Sequence, residues 1–212
     1  MFLIKSSGKS ALPKIADCQM ACFPASFATK LGAKYVQKSL EWFLKSSHRF
    51  LFHCEEDGKV VGYCGGFAPA FYGDGSSSGM LQHAFKEAMI GTLKKPWLIF
   101  HPELFRYYPH VLKNIKRKIF KTPNSSSSIS NTQKEIDPVV GLVIIGIHPS
   151  YRGKGVFELL MTEFEKQAAD QNRKEVNLSV KKNNFRAINA YKKFGWLVRK
   201  EEGDAIKMHK FL

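Results

Sequence analysis

Residues 147–156 read Ile147-His148-Pro149-Ser150-Tyr151-Arg152-Gly153-Lys154-Gly155-Val156, and the fold turns on what this decapeptide joins. Upstream, Val139 to Ile147 is a nearly continuous apolar run, the pattern of a strand buried on both faces. Downstream, Phe157, Leu160, Met161, Phe164 and Ala168 recur at helical spacing. A strand, a turn with glycines at 153 and 155, and a helix admit two readings. The segment is either a plain connection or a turn whose exposed N–H groups at a helix N-terminus receive phosphate oxygens, with Arg152 and Lys154 adding positive charge.

The pattern continues on both sides. Val176 to Val180 predicts a strand and Asn184 to Phe194 a helix, with Asn184 as its cap and Gly195 as a left-handed terminator. Ala187, Ala190, Tyr191 and Phe194 share one face of that helix, while Trp196 to Arg199 and Ala205 to Leu212 predict a closing strand pair. Toward the N-terminus, Phe2 to Lys5 predicts a strand, and Leu12 to Phe23 and Tyr35 to Leu44 predict helices. Arg49 to Cys54 and Lys59 to Phe67 predict a hairpin whose turn is Glu55-Glu56-Asp57-Gly58. Residues 71–137 read as an insertion, with one helical stripe at Leu81, Phe85, Ala88, Met89 and Leu93 and another at Leu112, Ile115 and Ile119. Alternating strands and helices predict an α/β class.

Taken together, the turn at 152–157 and the later pattern Asn184, Ala187, Tyr191, Gly195 and Trp196 resemble the GNAT superfamily of acetyl-CoA-dependent N-acetyltransferases. The resemblance implies a GNAT-like central mixed sheet flanked by helices and residues 1–212 as a single N-acetyltransferase domain; the long helical insertion at 71–137, between the third and fourth strands, has no counterpart in the family's core pattern. It implies that the N–H groups of Arg152, Gly153, Lys154, Gly155, Val156 and Phe157 hold the pyrophosphate of acetyl-CoA, and that the pantetheine lies along Val143 to Ile147. A strand N–H near Ile147 would polarise the thioester carbonyl, Asn184 would touch the pantetheine arm, and Tyr191 would protonate the departing thiolate. His148 and Ala187 fall within the same two motifs and join the cofactor-binding set.

Two departures from the family pattern stand out. Phe157 occupies a position that is usually Gly or Ala; its register with Leu160, Met161 and Phe164 predicts a ring turned into the core. No carboxylate lies in Val140-Gly141-Leu142, where many relatives carry a general base. Glu135 and Asp137 read as solvated loop charges and His148 as a structural turn residue, so no base is assigned. The implied reaction is acetyl transfer to a primary amine of a small molecule, with a nucleotide-linked amino sugar favoured. A protein or peptide amine is the alternative within the enzyme class. A non-catalytic acyl-CoA-binding protein with a basic surface for nucleic acid or membrane is the rival outside it.

Composition sets the outer bounds. The chain has 212 residues, 44% hydrophobic and 24% charged, enough to bury a core, and a net charge of +15 that asks for an anionic partner. No apolar run approaches the roughly 20 residues of a membrane-spanning helix, and the opening residues carry no secretory stretch, so a cytoplasmic address is expected. Cys18, Cys22, Cys54 and Cys64 form no zinc pattern; they are expected to be buried free thiols, and no metal is expected. Lys113, Lys116, Arg117, Lys118 and Lys121 are either a solvated helix face or a docking surface for an anionic substrate or a peripheral membrane contact. Nucleic acid is disfavoured by the absence of a helix-turn-helix, an RRM-like pattern or a zinc framework. Trp97, Phe100, Phe105, Tyr107 and Tyr108 are expected to pack the insertion onto the domain in preference to walling an acceptor pocket. The oligomeric state is left open.

Overall fold

Asp57 and Gly58 both take positive φ, 50° and 74°, the left-handed pair that a two-residue hairpin turn needs. Strands β2 (Arg49–Glu56) and β3 (Lys59–Phe67) therefore fold back on each other as the Asp-Gly reading predicts. The computed structural model describes residues 1–69, 76–105 and 139–212. Strand β1 (Leu3–Ser6) adds antiparallel to β2, and β4 (Val139–Ile147) antiparallel to β3. Strand β5 (Glu175–Lys181) then runs parallel to β4, followed by β7 (Ala205–Phe211) and the edge strand β6 (Leu197–Glu202). The result is one mixed seven-stranded sheet in the order β1-β2-β3-β4-β5-β7-β6.

Helices cover both faces. On one lie α1 (Leu12–Cys22), α2 (Phe27–Leu31) and α3 (Ala33–Glu41), which bury Ile15, Ala16, Val36 and Leu40 against Leu51, Tyr63 and Phe67. The other is covered by α7 (Val156–Asp170) and α8 (Phe185–Lys193). Leu160, Met161, Phe164 and Ala168 of α7 are fully buried there with Phe52, Val176, Trp196 and Met208. Each large side chain so buried contributes about 1.5–3 kcal/mol of transfer free energy. Helix α2 was not predicted, because Pro24 and Gly32 read as a break. It is nucleated locally by Ser26, whose Oγ accepts from the Thr29 N–H at 3.2 Å.

Two expectations need correcting. Strand β4 is not buried on both faces throughout. Val140 and Leu142 are buried, but Val143, Ile144, Ile145 and Ile147 are only half-buried, since β5 has left their side. The stripe at Leu81, Phe85, Ala88, Met89 and Leu93 is broken at Ala84 into α4 (Ser76–His83) and α5 (Phe85–Lys94), and it mostly faces outward. Phe85 is 62% exposed and Leu93 78%, whereas Ala84 and Gly91 are buried. The docking face is set by small residues, because a Cβ on Gly91 would stand 2.8 Å from Leu31 Cδ2 and 3.0 Å from its carbonyl oxygen.

The one-turn helix α6 (Pro102–Phe105) follows. Trp97 and Phe100, expected to pack inward, are exposed instead, 63% and 73%. Tyr107, Tyr108, the stripe at Leu112, Ile115 and Ile119, and the basic run 113–121 lie outside the described residues, as do Glu135 and Asp137. Among the described residues, no helix is long and apolar enough to cross a membrane, and no cluster of His, Cys, Asp and Glu is placed to hold a metal. All four cysteines are buried and unbridged.

Candidate functional site

The site begins with a parting of strands. Strands β4 and β5 pair only over Val139, Val140 and Gly141 against Glu175, Val176 and Asn177, and then diverge. One residue further, Leu142 faces Gly66 while Ile144 faces Gly65, so Val143 is an extra residue that bends β4 at the point of divergence. Beyond the bulge, the N–H of His148 donates to the Val61 carbonyl at 2.9 Å. Backbone groups alternate in direction along an antiparallel pair, so those of Ile147, opposite Gly62, and Ile145, opposite Cys64, point away from β3. They open into the gap that β5 has vacated.

The turn stands at the mouth of this gap. Gly153 and Gly155 have φ of 75° and 83°, and a Cβ at either would meet no atom within 4 Å. Glycine is required there by backbone conformation, with open space left above it. Gly155 is the N-cap of α7, and no side chain caps that end, so the first N–H groups of the helix remain free for a ligand. Val156 is fully buried, and a Cβ on Gly62 would come within 2.9 Å of it; only its backbone can serve the turn.

Arg152 is engaged by the fold itself. Its Nε donates to the Ile147 carbonyl at 3.3 Å and its other guanidinium nitrogen to the Cys22 carbonyl at 3.4 Å, tying the turn to the end of α1. The Lys154 ammonium lies 5.1 Å from the Tyr151 ring centroid. His148 Nδ1 accepts from the Ser150 N–H at 3.4 Å, the structural turn role that its place before Pro149 predicts.

Helix α8 forms the opposite wall. Asn184 caps it, its Oδ1 accepting from the Ala187 N–H at 3.3 Å. Ala187 thus has only its small side chain to offer the cleft, while the Asn184 amide nitrogen is not taken by the cap. Tyr191 is 6% exposed and lines the cleft. Burial, with Cys64 nearby, pushes its phenol well above the usual tyrosine range, so it holds its proton at neutral pH. The Phe157 ring packs on Tyr191, centroids 5.7 Å apart, and on Phe194 at 6.0 Å; it is half-buried against the core cluster and also lines the cleft, so it is turned inward only in part.

These elements enclose a cleft of about 770 Å³. Arg152, Lys181, Arg186 and Lys193 line it, with Glu158 as the single carboxylate among its described lining residues. Gln19 and Cys22 of α1, Phe23 just after it and Tyr63 of β3 also line it, and the sequence reading missed all four. The available signal was Gly146, a glycine inside an apolar strand. The Tyr63 ring lies over it so closely that a Cβ would stand 2.5 Å from Cε1.

The family description that matches this chain is Acetyltransferase (GNAT) family, over residues 129–196, which takes in β4, the glycine turn, α7, β5 and α8. The segment that builds the cleft is thus similar to that family. Solved structures share its fold over the full length. The PaiA N-acetyltransferase of Thermoplasma acidophilum, solved with coenzyme A, superposes with a TM-score of 0.59 at 12% identity, covering 100% of this chain and 99% of that one. The ribosomal-protein-S18-alanine N-acetyltransferase of Escherichia coli gives 0.56 at 13% identity, with 100% and 94% covered. A GNAT-family acetyltransferase of Streptococcus pneumoniae gives 0.57 at 13%, with 100% and 99% covered. No curated protein sequence matches the chain significantly. At these identities the likeness to solved structures carries the fold alone, and the similarity to the GNAT family rests on the match to the segment that builds the cleft.

Proposed function

We propose that this GNAT protein transfers the acetyl group of acetyl-CoA to a primary amine, with residues 1–212 acting as one domain and 71–137 as its insertion. The carrying observation is the parted β4–β5 gap, with an uncapped glycine turn at its mouth and a protonated tyrosine on its wall. The N–H groups at 152–157 take the pyrophosphate, and Lys154 and Arg186 add charge beside it. The pantetheine runs along Val143 to Ile147 and meets the Asn184 amide. The acceptor nitrogen forms a bond to the thioester carbon while the N–H groups of Ile145 and Ile147 face the developing oxyanion. As the C–S bond breaks, Tyr191 gives its proton to the sulfur. The acceptor's surplus proton leaves to solvent, as no cleft residue is assigned as base.

We infer a small acceptor carrying anionic groups, such as a nucleotide-linked amino sugar, because Lys181 and Lys193 line the cleft in addition to the arginines already assigned. A polypeptide amine is the second reading, favoured by the fold shared with an enzyme named for ribosomal-protein alanine acetylation. Four buried, unbridged cysteines fit a reducing, cytoplasmic setting.

Titration calorimetry with acetyl-CoA is the first test, and no binding up to millimolar concentration sinks the proposal. Thiol release is then followed with a nucleotide-linked amino sugar, a polyamine and an alanine-ended peptide. With whichever acceptor is turned over, Tyr191→Phe is expected to lower kcat by about 10²–10⁴-fold while leaving acetyl-CoA affinity within twofold. An unchanged kcat removes Tyr191 from the chemistry.

A further inference from the structure

Acetyl transfer as proposed leaves two thiols beside the cleft unused. Cys18 and Cys22 lie four residues apart on α1, both buried and unbridged, and Cys22 lines the cleft. Arg152 bridges the Cys22 carbonyl and the Ile147 carbonyl, which sets Cys22 beside the last residue of β4, along the path assigned to the pantetheine. The Cys18 thiol bonds to the Cys22 sulfur, and the Arg152 and Arg186 guanidinium groups add positive charge. Together they hold the Cys22 thiol below its usual range against the opposing effect of burial. The other cysteines differ. Burial drives Cys64 well above the usual range and raises Cys54, and neither lines the cleft.

A sulfur on the wall of an electropositive cleft, along the path assigned to a thiol-bearing nucleotide, is placed for exchange with that nucleotide's disulfide. We propose that Cys22 is a thiol–disulfide exchange site for coenzyme A disulfide; this rests on the acetyl-CoA reading of the cleft. The Cys22 sulfur attacks one sulfur of the dimeric cofactor and forms a new S–S bond to it. The original S–S bond breaks, and the second coenzyme A leaves as a thiolate that takes up the proton Cys22 released. The disulfide is the oxidant, so atoms and electrons balance. The product tethers a coenzyme A moiety inside its own cleft, where it excludes acetyl-CoA until a thiol reductant removes it.

The test incubates the intact protein with coenzyme A disulfide and, separately, with oxidised glutathione at equal concentration, followed by peptide mapping of all four cysteines by mass spectrometry. The expected result is one coenzyme A adduct on Cys22, formed at least tenfold faster than the glutathione adduct, slowed by excess acetyl-CoA and removed by dithiothreitol. Equal rates for the two disulfides, or an adduct confined to another cysteine, overturn the proposal. Coenzyme A calorimetry on the same sample separates the two failures. Binding without an adduct defeats the Cys22 site alone, and no binding defeats the acetyl-CoA reading beneath it.

Discussion

Helices α7 and α5 both announce themselves by an apolar stripe at helical spacing, yet they use it in opposite ways. Helix α7 drives Leu160, Met161 and Phe164 into the sheet, whereas α5 holds Phe85, Met89 and Leu93 outward and docks through Gly91, with Ala84 beside it. The partner surfaces explain the difference. Helix α7 meets the pleated face of a sheet, which accepts large side chains between strands. Helix α5 meets α2 and α3, and at Gly91 its backbone approaches Leu31 too closely for any side chain. Periodicity therefore identifies a helix and its faces, but the surface awaiting it decides which face is buried.

The contrast can be attacked at several points. Phe164→Ala should cost about 3–5 kcal/mol of unfolding free energy in denaturant titration, the range for emptying a large aromatic site in a close-packed core. A cost below 1 kcal/mol would mean that α7 is not docked as described. Gly91→Val should cost about 1–3 kcal/mol by overpacking against Leu31. A neutral result would show that the small-residue face of α5 is not its docking face.

The α1 face carries a buried polar network. Ser7 Oγ meets His53 Nδ1 at 2.8 Å and His53 Nε2 meets Glu55 at 3.2 Å, all three residues buried. Burial lowers the His53 pKa despite the Glu55 carboxylate, so the unfolded chain takes up this proton at a higher pH than the folded one. The stabilisation is present above the ordinary histidine value of 6.5 and is lost as pH falls through the lower folded value. Thermal melts from pH 7.5 to 5 should show Tm falling with acidity, and His53→Gln should flatten the slope. An unchanged slope would assign the acid sensitivity elsewhere. The smallest effect is expected from Phe85→Ser, within about 0.5 kcal/mol of wild type, as for most exposed positions. A loss of 2 kcal/mol would place the Phe85 ring in a packed contact and erase the contrast.

The C-terminal half was the more legible because its residues are constrained twice. Gly153, Gly155 and Gly195 all take positive φ, and Asn184 caps α8 through its side chain; each had one local job that its residue type reveals. What escaped was set by distant neighbours. The half-buried end of β4 depends on β5 diverging after three pairs, and Val143 as a bulge depends on its register with Gly65 and Gly66. The roles of Cys22 and Tyr63 in the cleft depend on where α1 ends relative to β4, which Arg152 fixes by one local hydrogen bond to Ile147 and one long-range hydrogen bond to Cys22. For Arg152 the sequence offers a charge and a backbone N–H, and the hold of its guanidinium on two carbonyls is visible only with the chain folded.

Strand β4 stands fourth of seven, yet beyond Gly141 its far side has the character of a rim. A rim normally invites another chain to add a rung, and proteins blunt it with charge or twist. Here it lies inside the molecule, walled by α1 and α8. On the proposed acetyl-CoA reading, the amides of the pantetheine arm would supply the missing rungs.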